Sequence, residues 1–343
     1  MHAFITGATG FIGSHVTMSL LQQGWKVTAL CRDKTQLANS AVMSELNAAG
    51  TIKWKRGDIL NLHSLRRAMP ARVDAIFHLA GDTTTWDRMS KRQYHVNVIG
   101  TQNVAKVALE KKAIRFIHTS STVVFGDHDE TIDEFSEMRG MDSPVSYFRT
   151  KFLAEEVIRE NIKKGLDAVI LNPSIVIGPH DRSNWRLLFD AIQSDCLKGV
   201  PTGTKAFCYV EDVAKAHVQA FIHGRCGENY LLSGPHAELI NVCHWISQRL
   251  NKHMPSQLCA TWQIKLLATW QSIKSRFTRK EPALTPERAH ILCSHTVINS
   301  DKSHRELNYK NTKTIDEMLE TTYQWWIHQQ AGDLLAQQKK SAA

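Results

Sequence analysis

The chain has 343 residues, 43% of them hydrophobic and 22% charged, the balance of a folded globular protein, which excludes a disordered or collagen-like one. Lys and Arg number 42 against 33 Asp and Glu; the net charge of +9 suits a phosphate-bearing ligand and also permits weak contact with nucleic acid or anionic lipid. The 7 cysteines are scattered, with no Cys-x-x-Cys pair and no zinc spacing, as expected of reduced thiols in a cytoplasmic protein. The opening residues Met1 to Gly7 do not read as a signal segment, and no uncharged apolar run reaches the roughly 18 residues a membrane span needs.

Short apolar runs alternate with helix-period segments, the pattern of a parallel sheet covered on both faces. Residues 3–6 read as a strand, 11–23 as a helix, 26–31 and 51–55 as strands, and 62–69 as a short helix. A strand at 75–79, a helix over 91–111, a strand at 115–119, a helix over 146–164 and a strand at 168–171 follow. The expected fold is therefore α/β, a Rossmann-type doubly wound parallel sheet with a smaller, interleaved C-terminal lobe. Residues 1–178 form the expected dinucleotide-binding domain, with 207–223 packing back on it. Residues 179–206 and 224–330 form a substrate lobe, and 331–343 a polar tail.

The segment Thr6-Gly7-Ala8-Thr9-Gly10-Phe11-Ile12-Gly13 lies between the first strand and the first helix. Glycines there let the backbone turn sharply and approach a pyrophosphate, which the first amides of the helix, from Phe11 and Ile12 onward, then hold. The spacing is G-x-x-G-x-x-G, and a tight turn without ligand is the alternative. At the end of the second strand an acid would hydrogen-bond a ribose and repel a 2′-phosphate; Leu30-Cys31-Arg32-Asp33-Lys34 stands there instead. Cys31 takes the place of the acid, and Arg32 can pair with phosphate, so NADP(H) is the expected cofactor. Asp33 keeps NAD(H) open.

Tyr147-Phe148-Arg149-Thr150-Lys151 places a phenol and an ammonium one helical turn apart on one face. A general acid working near neutrality needs the phenol brought down by roughly three pH units, or about 4 kcal/mol. One ammonium about 4 Å away contributes on the order of 4 kcal/mol at an effective dielectric of 20, so acidification by Lys151 is expected. The fifth strand ends in Thr119-Ser120-Ser121-Thr122, where Ser121 can polarise a carbonyl while Tyr147 supplies the proton and Lys151 holds the nicotinamide ribose; strand-end capping is the plainer role for these serines. A second match to the spacing, Tyr309 to Lys313, lacks cofactor elements around it and reads as accidental.

With these residues in place the sequence resembles the extended short-chain dehydrogenase/reductase family, also called the NAD-dependent epimerase/dehydratase family, over nearly its whole length. The resemblance rests on Thr6-Gly7 through Gly13, Gly57-Asp58-Ile59, His78-Leu79-Ala80-Gly81, Asn97 through Thr101, Thr119-Ser120-Ser121, Tyr147 with Lys151, Asn172 through Pro179, and Tyr209 through Ala214. It implies that Asp58 and Ile59 contact the adenine, that Leu79, Ala80 and Gly81 run along the cofactor, and that Pro173 lies near the nicotinamide. Asn97 and Thr119 join the cofactor set on the same ground, although an amide at Asn97 could equally brace two loops. Dehydratases of the family carry an Asp-Glu pair after the hydroxyl residue, where Thr122 and Val123 stand here; the sugar-nucleotide epimerases commonly have Arg at the place of Asn172. Asn172-Pro173, with the segment 224–232, resembles the dihydroflavonol 4-reductase and 3β-hydroxysteroid dehydrogenase branch, which implies ketone and secondary-alcohol interconversion on a bulky apolar or aromatic molecule.

Between Trp262 and Lys280, apolar residues Trp262, Leu266, Trp270, Ile273 and Phe277 share one helical face. Three readings stay open: a lid over the pocket, a basic amphipathic helix in weak contact with a membrane surface, and a core helix of the small lobe. The expected activity is NADPH-dependent reduction of an apolar or aromatic ketone, with an NAD-dependent nucleotide-sugar epimerase as the alternative and a non-catalytic cofactor-sensing or RNA-binding protein as a remote third. No metal and no nucleic-acid partner are expected, and pairing into a homodimer is compatible with the family.

Overall fold

The computed structural model describes residues 1–33, 41–197, 199–253 and 258–341; Lys34 lies outside them. Along the first half run β1 (His2–Thr6), α1 (Phe11–Gln22), β2 (Lys26–Cys31), α2 (Ala41–Ala49), β3 (Ile52–Arg56), α3 (Leu62–Ala68), β4 (Ala75–His78), α4 (Ser90–Tyr94), α5 (Gly100–Glu110), β5 (Arg115–Thr119), α6 (Ser146–Ile162) and β6 (Ala168–Pro173). The second half adds β7 (Ile175–Ile177), α7 (Trp185–Gln193), β8 (Val200–Pro201), β9 (Thr204–Tyr209), α8 (Val210–His223), β10 (Asn229–Leu232), β11 (His236–Glu238), α9 (Leu239–Arg249) and β12 (Leu258–Cys259). Four helices complete it: α10 (Thr261–Thr278), α11 (Pro286–Cys293), α12 (Asp301–Leu307) and α13 (Ile315–Ser341).

The main sheet has the order β10-β6-β5-β4-β1-β2-β3, with every neighbouring pair parallel. Parallel strands need crossovers, and alternation decides which face each residue meets. Ala3, Ile5, Phe77, Ile117 and Leu171 pack under Val16 and Leu20 of α1 and Val213 and Ala216 of α8. Phe4, Ile76, Phe116 and Ile170 point the other way, onto Leu65 of α3, Val104 and Val107 of α5 and Ile158 of α6. The strand order reverses between β1 and β4, so the loops after them part and leave a crevice at the carboxyl edge.

The structure departs from the sequence expectation in four places. Residues 229–232, assigned above to the substrate lobe, are the seventh strand of the main sheet, beside β6. Residues 204–209 join β7 and β11 in a separate three-stranded sheet, while α8 behind them packs against α1. Residues 331–341 continue α13 as helix instead of forming a tail. Finally, the helix expected over 91–111 contains a π-helical turn, His95–Ile99, centred on Asn97. Such single turns are frequent at functional sites.

Three histidines lie buried against the sheet. His78 accepts from the Thr6 hydroxyl (2.7 Å) and donates to Thr101 (2.9 Å), because the Thr101 hydroxyl is itself donating to the Asn97 carbonyl. His217 donates through Nδ1 to the Val213 carbonyl, leaving Nε2 to accept from Thr119 at 2.8 Å. His118 stacks on His78 at 5.7 Å between ring centres, and neither of its nitrogens has a hydrogen-bond partner among the described residues.

Burial lowers His78 to about 3 and His217 to about 4, and drives His118 well below its ordinary value, with the Lys151 charge reinforcing the shift at His78 and His118. An unfolded chain takes up these protons near pH 6.5 and the folded one does not, so the stability is complete above that pH and lost as pH falls. At pH 5 each such ring costs about 2 kcal/mol. His118→Leu, which removes a ring without polar partners, is expected to fold normally at pH 7 and to recover about 2 kcal/mol of the loss at pH 5 in urea unfolding. An acid loss equal to that of the unaltered protein would contradict the assignment.

Candidate active site

The glycine turn after β1 has its residues where backbone contact demands them. Gly7 has φ +78°, and a Cβ there would sit 2.7 Å from Leu79 and Ala80 backbone atoms of the loop after β4. At Gly13 a Cβ would lie 2.0 Å from the Gly7 carbonyl oxygen, so only glycine lets α1 pack on the turn. Gly10 precedes α1 without a side-chain cap, and no acid occupies the first turn at Phe11, Ile12 and Gly13. The helix end therefore keeps its positive pole free for an anion. These residues fit a dinucleotide pyrophosphate.

Around this turn the structure gathers the ends of the neighbouring strands. Ile5 lies beside Ala29 in the register of β1 and β2, which carries exposed Arg32 to the same edge. Cys31 is buried, with its thiol directed at the Lys55 carbonyl (3.6 Å). The Asp58 carboxylate accepts from the Leu60 amide at 2.9 Å, and Asn61, not Asp58, caps α3. Ile59 is buried against Gly100, and its carbonyl accepts from Asn103 at 2.8 Å. Gly81 is exposed beside Asn97.

Asn97 itself braces. Its oxygen accepts from the Asp82 amide (2.7 Å), and its NH2 donates to the Asp82 carbonyl (2.9 Å) and the Thr150 hydroxyl (3.1 Å). With both amide hydrogens engaged, it ties the loop after β4 to α6, the bracing role the sequence also allowed.

On the other side of the crevice, α6 presents Tyr147, Lys151 and Glu155 at successive turns of one face. Lys151 donates to the Thr119 carbonyl at the end of β5 (2.8 Å), and the Ser121 hydroxyl lies near the Tyr147 phenol. Ser121 also caps the short turn that follows, accepting from Val123, the plainer of the two roles considered for it. Pro173 ends β6 on the same edge. Tyr309, by contrast, is buried in the core that the main sheet shares with α1 and α8.

The electrostatics correct one expectation. Burial pushes the Tyr147 phenol up to about 12, against the pull of the Ser121 hydroxyl, and pushes Lys151 down to about 8, with Glu155 opposing. The ammonium is directed at the Thr119 carbonyl, and removal from water outweighs any acidification of the phenol in the free protein. Tyr147 is thus held as a proton donor.

Sequence reasoning missed the polar cluster behind these groups. Glu155 is fully buried; its carboxylate accepts from Asn172 (2.6 Å) and Asn229 (2.9 Å) and meets Arg159 at 3.2 Å. Asn172 also donates to the Ser121 carbonyl at 3.2 Å. The fourfold spacing Tyr147, Lys151, Glu155 was a signal for Glu155; nothing local marks Asn229. Glu287, far along the chain, accepts from the Ser146 amide at 3.0 Å and so caps α6 beside Tyr147.

An open-edged parallel sheet with a glycine turn, a switch-point crevice and this Ser-Tyr-Lys set defines a nicotinamide-dinucleotide-dependent enzyme of Rossmann type. Residues 3–233 match the sequence model of the NAD dependent epimerase/dehydratase family, and the chain belongs to that family. Sterol demethylase protein B of Methylococcus capsulatus is 27% identical over 320 residues, covering 92% of this chain and 95% of that protein. A 3-beta-hydroxysteroid dehydrogenase of Mycolicibacterium neoaurum is 24% identical, covering 92% and 88%. The crystal structure of gox2253 superposes with a TM-score of 0.80 at 27% identity, covering 95% of this chain and 98% of that one.

Because the Glu155 charge supports the Lys151 ammonium, Glu155→Gln is expected to move the Lys151 titration from about 8 to lower pH, by about half a unit or more, in NMR of isotope-labelled lysine. An unmoved midpoint in a folded variant would show that the carboxylate acts on packing alone.

Proposed function

We propose that the protein transfers hydride between NADP(H) and a ketone or secondary alcohol on a bulky apolar or aromatic small molecule. The observation that carries this reading is the Tyr147 phenol on α6, beside Ser121 and one turn from a buried Lys151 that donates to the Thr119 carbonyl at the carboxyl edge. The dinucleotide, when bound, supplies or accepts the hydride. Gly7, Gly10 and Gly13 would hold its pyrophosphate, and Arg32 a 2′-phosphate. Leu79, Ala80 and Gly81 would line its path, with Asp58 and Ile59 at the adenine and Thr119 and Pro173 toward the nicotinamide.

In the reductive direction Ser121 Oγ donates a hydrogen bond to the substrate carbonyl oxygen and Tyr147 Oη delivers its proton to that same atom. The carbonyl carbon gains the hydride, so one C–H and one O–H bond form as the C=O π bond is lost. Lys151 stabilises the phenolate left behind and orients the ribose. Support for an apolar substrate comes from relatives named for sterols and steroids, and Thr122 and Val123, standing where elimination chemistry needs acids, speak against dehydration.

A screen of steroid and aromatic ketones, following NADPH absorbance, is the test. Turnover is expected, and Tyr147→Phe should lower kcat by about 10²- to 10⁴-fold. Arg32→Ala should weaken NADPH about tenfold while sparing NADH. Cofactor retained through purification, with a nucleotide sugar isomerised and no net change in absorbance, would replace the reductase reading by the epimerase one.

A further inference from the structure

The helix α10 carries more exposed apolar surface than its place in the lobe explains. Trp262 is 65% exposed, Leu266 64%, Leu267 48%, Trp270 58%, Ile273 52% and Phe277 86%. Its buried residues are Ile264, Ala268 and Ser275. At about 100° per residue, Trp262, Leu266, Trp270, Ile273 and Phe277 fall within an arc of about 80°, and the buried residues lie on the opposite side of the wheel. The core-helix reading therefore accounts for the other face only, and the stripe is directed outward.

Charge flanks this stripe on both sides. Lys265 and Arg276 border one edge and Lys274 the other, with the Lys274 ammonium 5.5 Å from the centre of the Trp270 ring. Arg279 and Lys280 follow, and residues 261–280 contain no acid; Glu281 is the first. No helix among the described residues is long and apolar enough to cross a membrane. A stripe of Trp, Leu and Phe rimmed by cations is the chemistry of a surface that lies in the headgroup region, where rings enter the acyl boundary and ammonium groups meet lipid phosphate.

We propose that α10 docks the protein on an anionic bilayer surface. Its inner face packs on α11 through Ile264, Ala268 and Ala289. The next helix holds the catalytic one: Glu287 caps α6 at Ser146, and the His290 ring meets Phe148 edge-on at 6.4 Å. The docked helix is thus one element removed from Tyr147. Docking itself does not depend on the chemistry assigned to that phenol; if the apolar-substrate reading holds, the bilayer is where such a substrate would be collected.

Flotation of the full-length protein with phosphatidylcholine vesicles, with and without phosphatidylserine, tests this. Binding is expected to be at least about tenfold greater with phosphatidylserine and to fall as salt is raised. Trp262→Ser, Trp270→Ser and Phe277→Ser combined should reduce it at least about tenfold, as should Lys265→Glu, Lys274→Glu and Arg276→Glu combined. All six side chains are exposed, so melting should be unchanged, and a shifted Tm would move the test to single substitutions. Absence of a bound fraction, or binding indifferent to either set, overturns the proposal. So does an oligomer in sedimentation velocity that the Ser variant dissolves, which would mean that a second copy of the chain covers the stripe.

Discussion

A lysine ammonium held out of water is the constraint on which the rest of the site depends. Taking such a charge from solvent costs several kcal/mol unless protein dipoles and an opposite charge replace the hydration. Here the Thr119 carbonyl at the end of β5 accepts directly from Lys151, and the Glu155 carboxylate lies one turn along the same helix. Glu155 in turn is buried only because Asn172 from β6, Asn229 from β10 and Arg159 from α6 satisfy it. Three strands and the catalytic helix are therefore tied into one arrangement, and Ser121 is included through the Asn172 bond to its carbonyl. Burial keeps the histidines beneath it neutral, and the ammonium reinforces this at His78 and His118.

Much of this was legible in the sequence because short-range rules governed it. The apolar runs at 3–6, 75–79 and 115–119, the glycine spacing from Gly7 to Gly13 and the turn between Tyr147 and Lys151 each carry their own physical reason, and family motifs in order extend them. What was not legible depended on partners remote in the chain. The segment 229–232 is only four residues long, and its membership of the sheet is decided by pairing with β6. The cap of α6 comes from Glu287, which no local pattern could assign. The acidity of Tyr147 was misjudged because spacing gives the distance to an ammonium and says nothing of how much water both groups lose.

The second lobe shows how one chain supplies both a crevice and its surroundings. The strand β9 lies in a small sheet with β7 and β11, and α8 directly after it returns to the main sheet beside α1. Passing repeatedly between the two layers, the chain brings α11 against the start of α6 and leaves α10 outside with its apolar stripe uncovered. A helix polar all round would have served as a simple brace there; the composition of α10 goes beyond that need.

The central claim is that Tyr147 and Lys151 face a dinucleotide held by the turn at Gly7 to Gly13. A crystal structure of the protein soaked with NADPH tests it most directly. The account requires the pyrophosphate on the amides at the start of α1, with the Tyr147 hydroxyl and the Lys151 ammonium both within hydrogen-bonding reach of the nicotinamide ribose. Density for the nucleotide elsewhere, or a phenol turned away from that ribose, would contradict it.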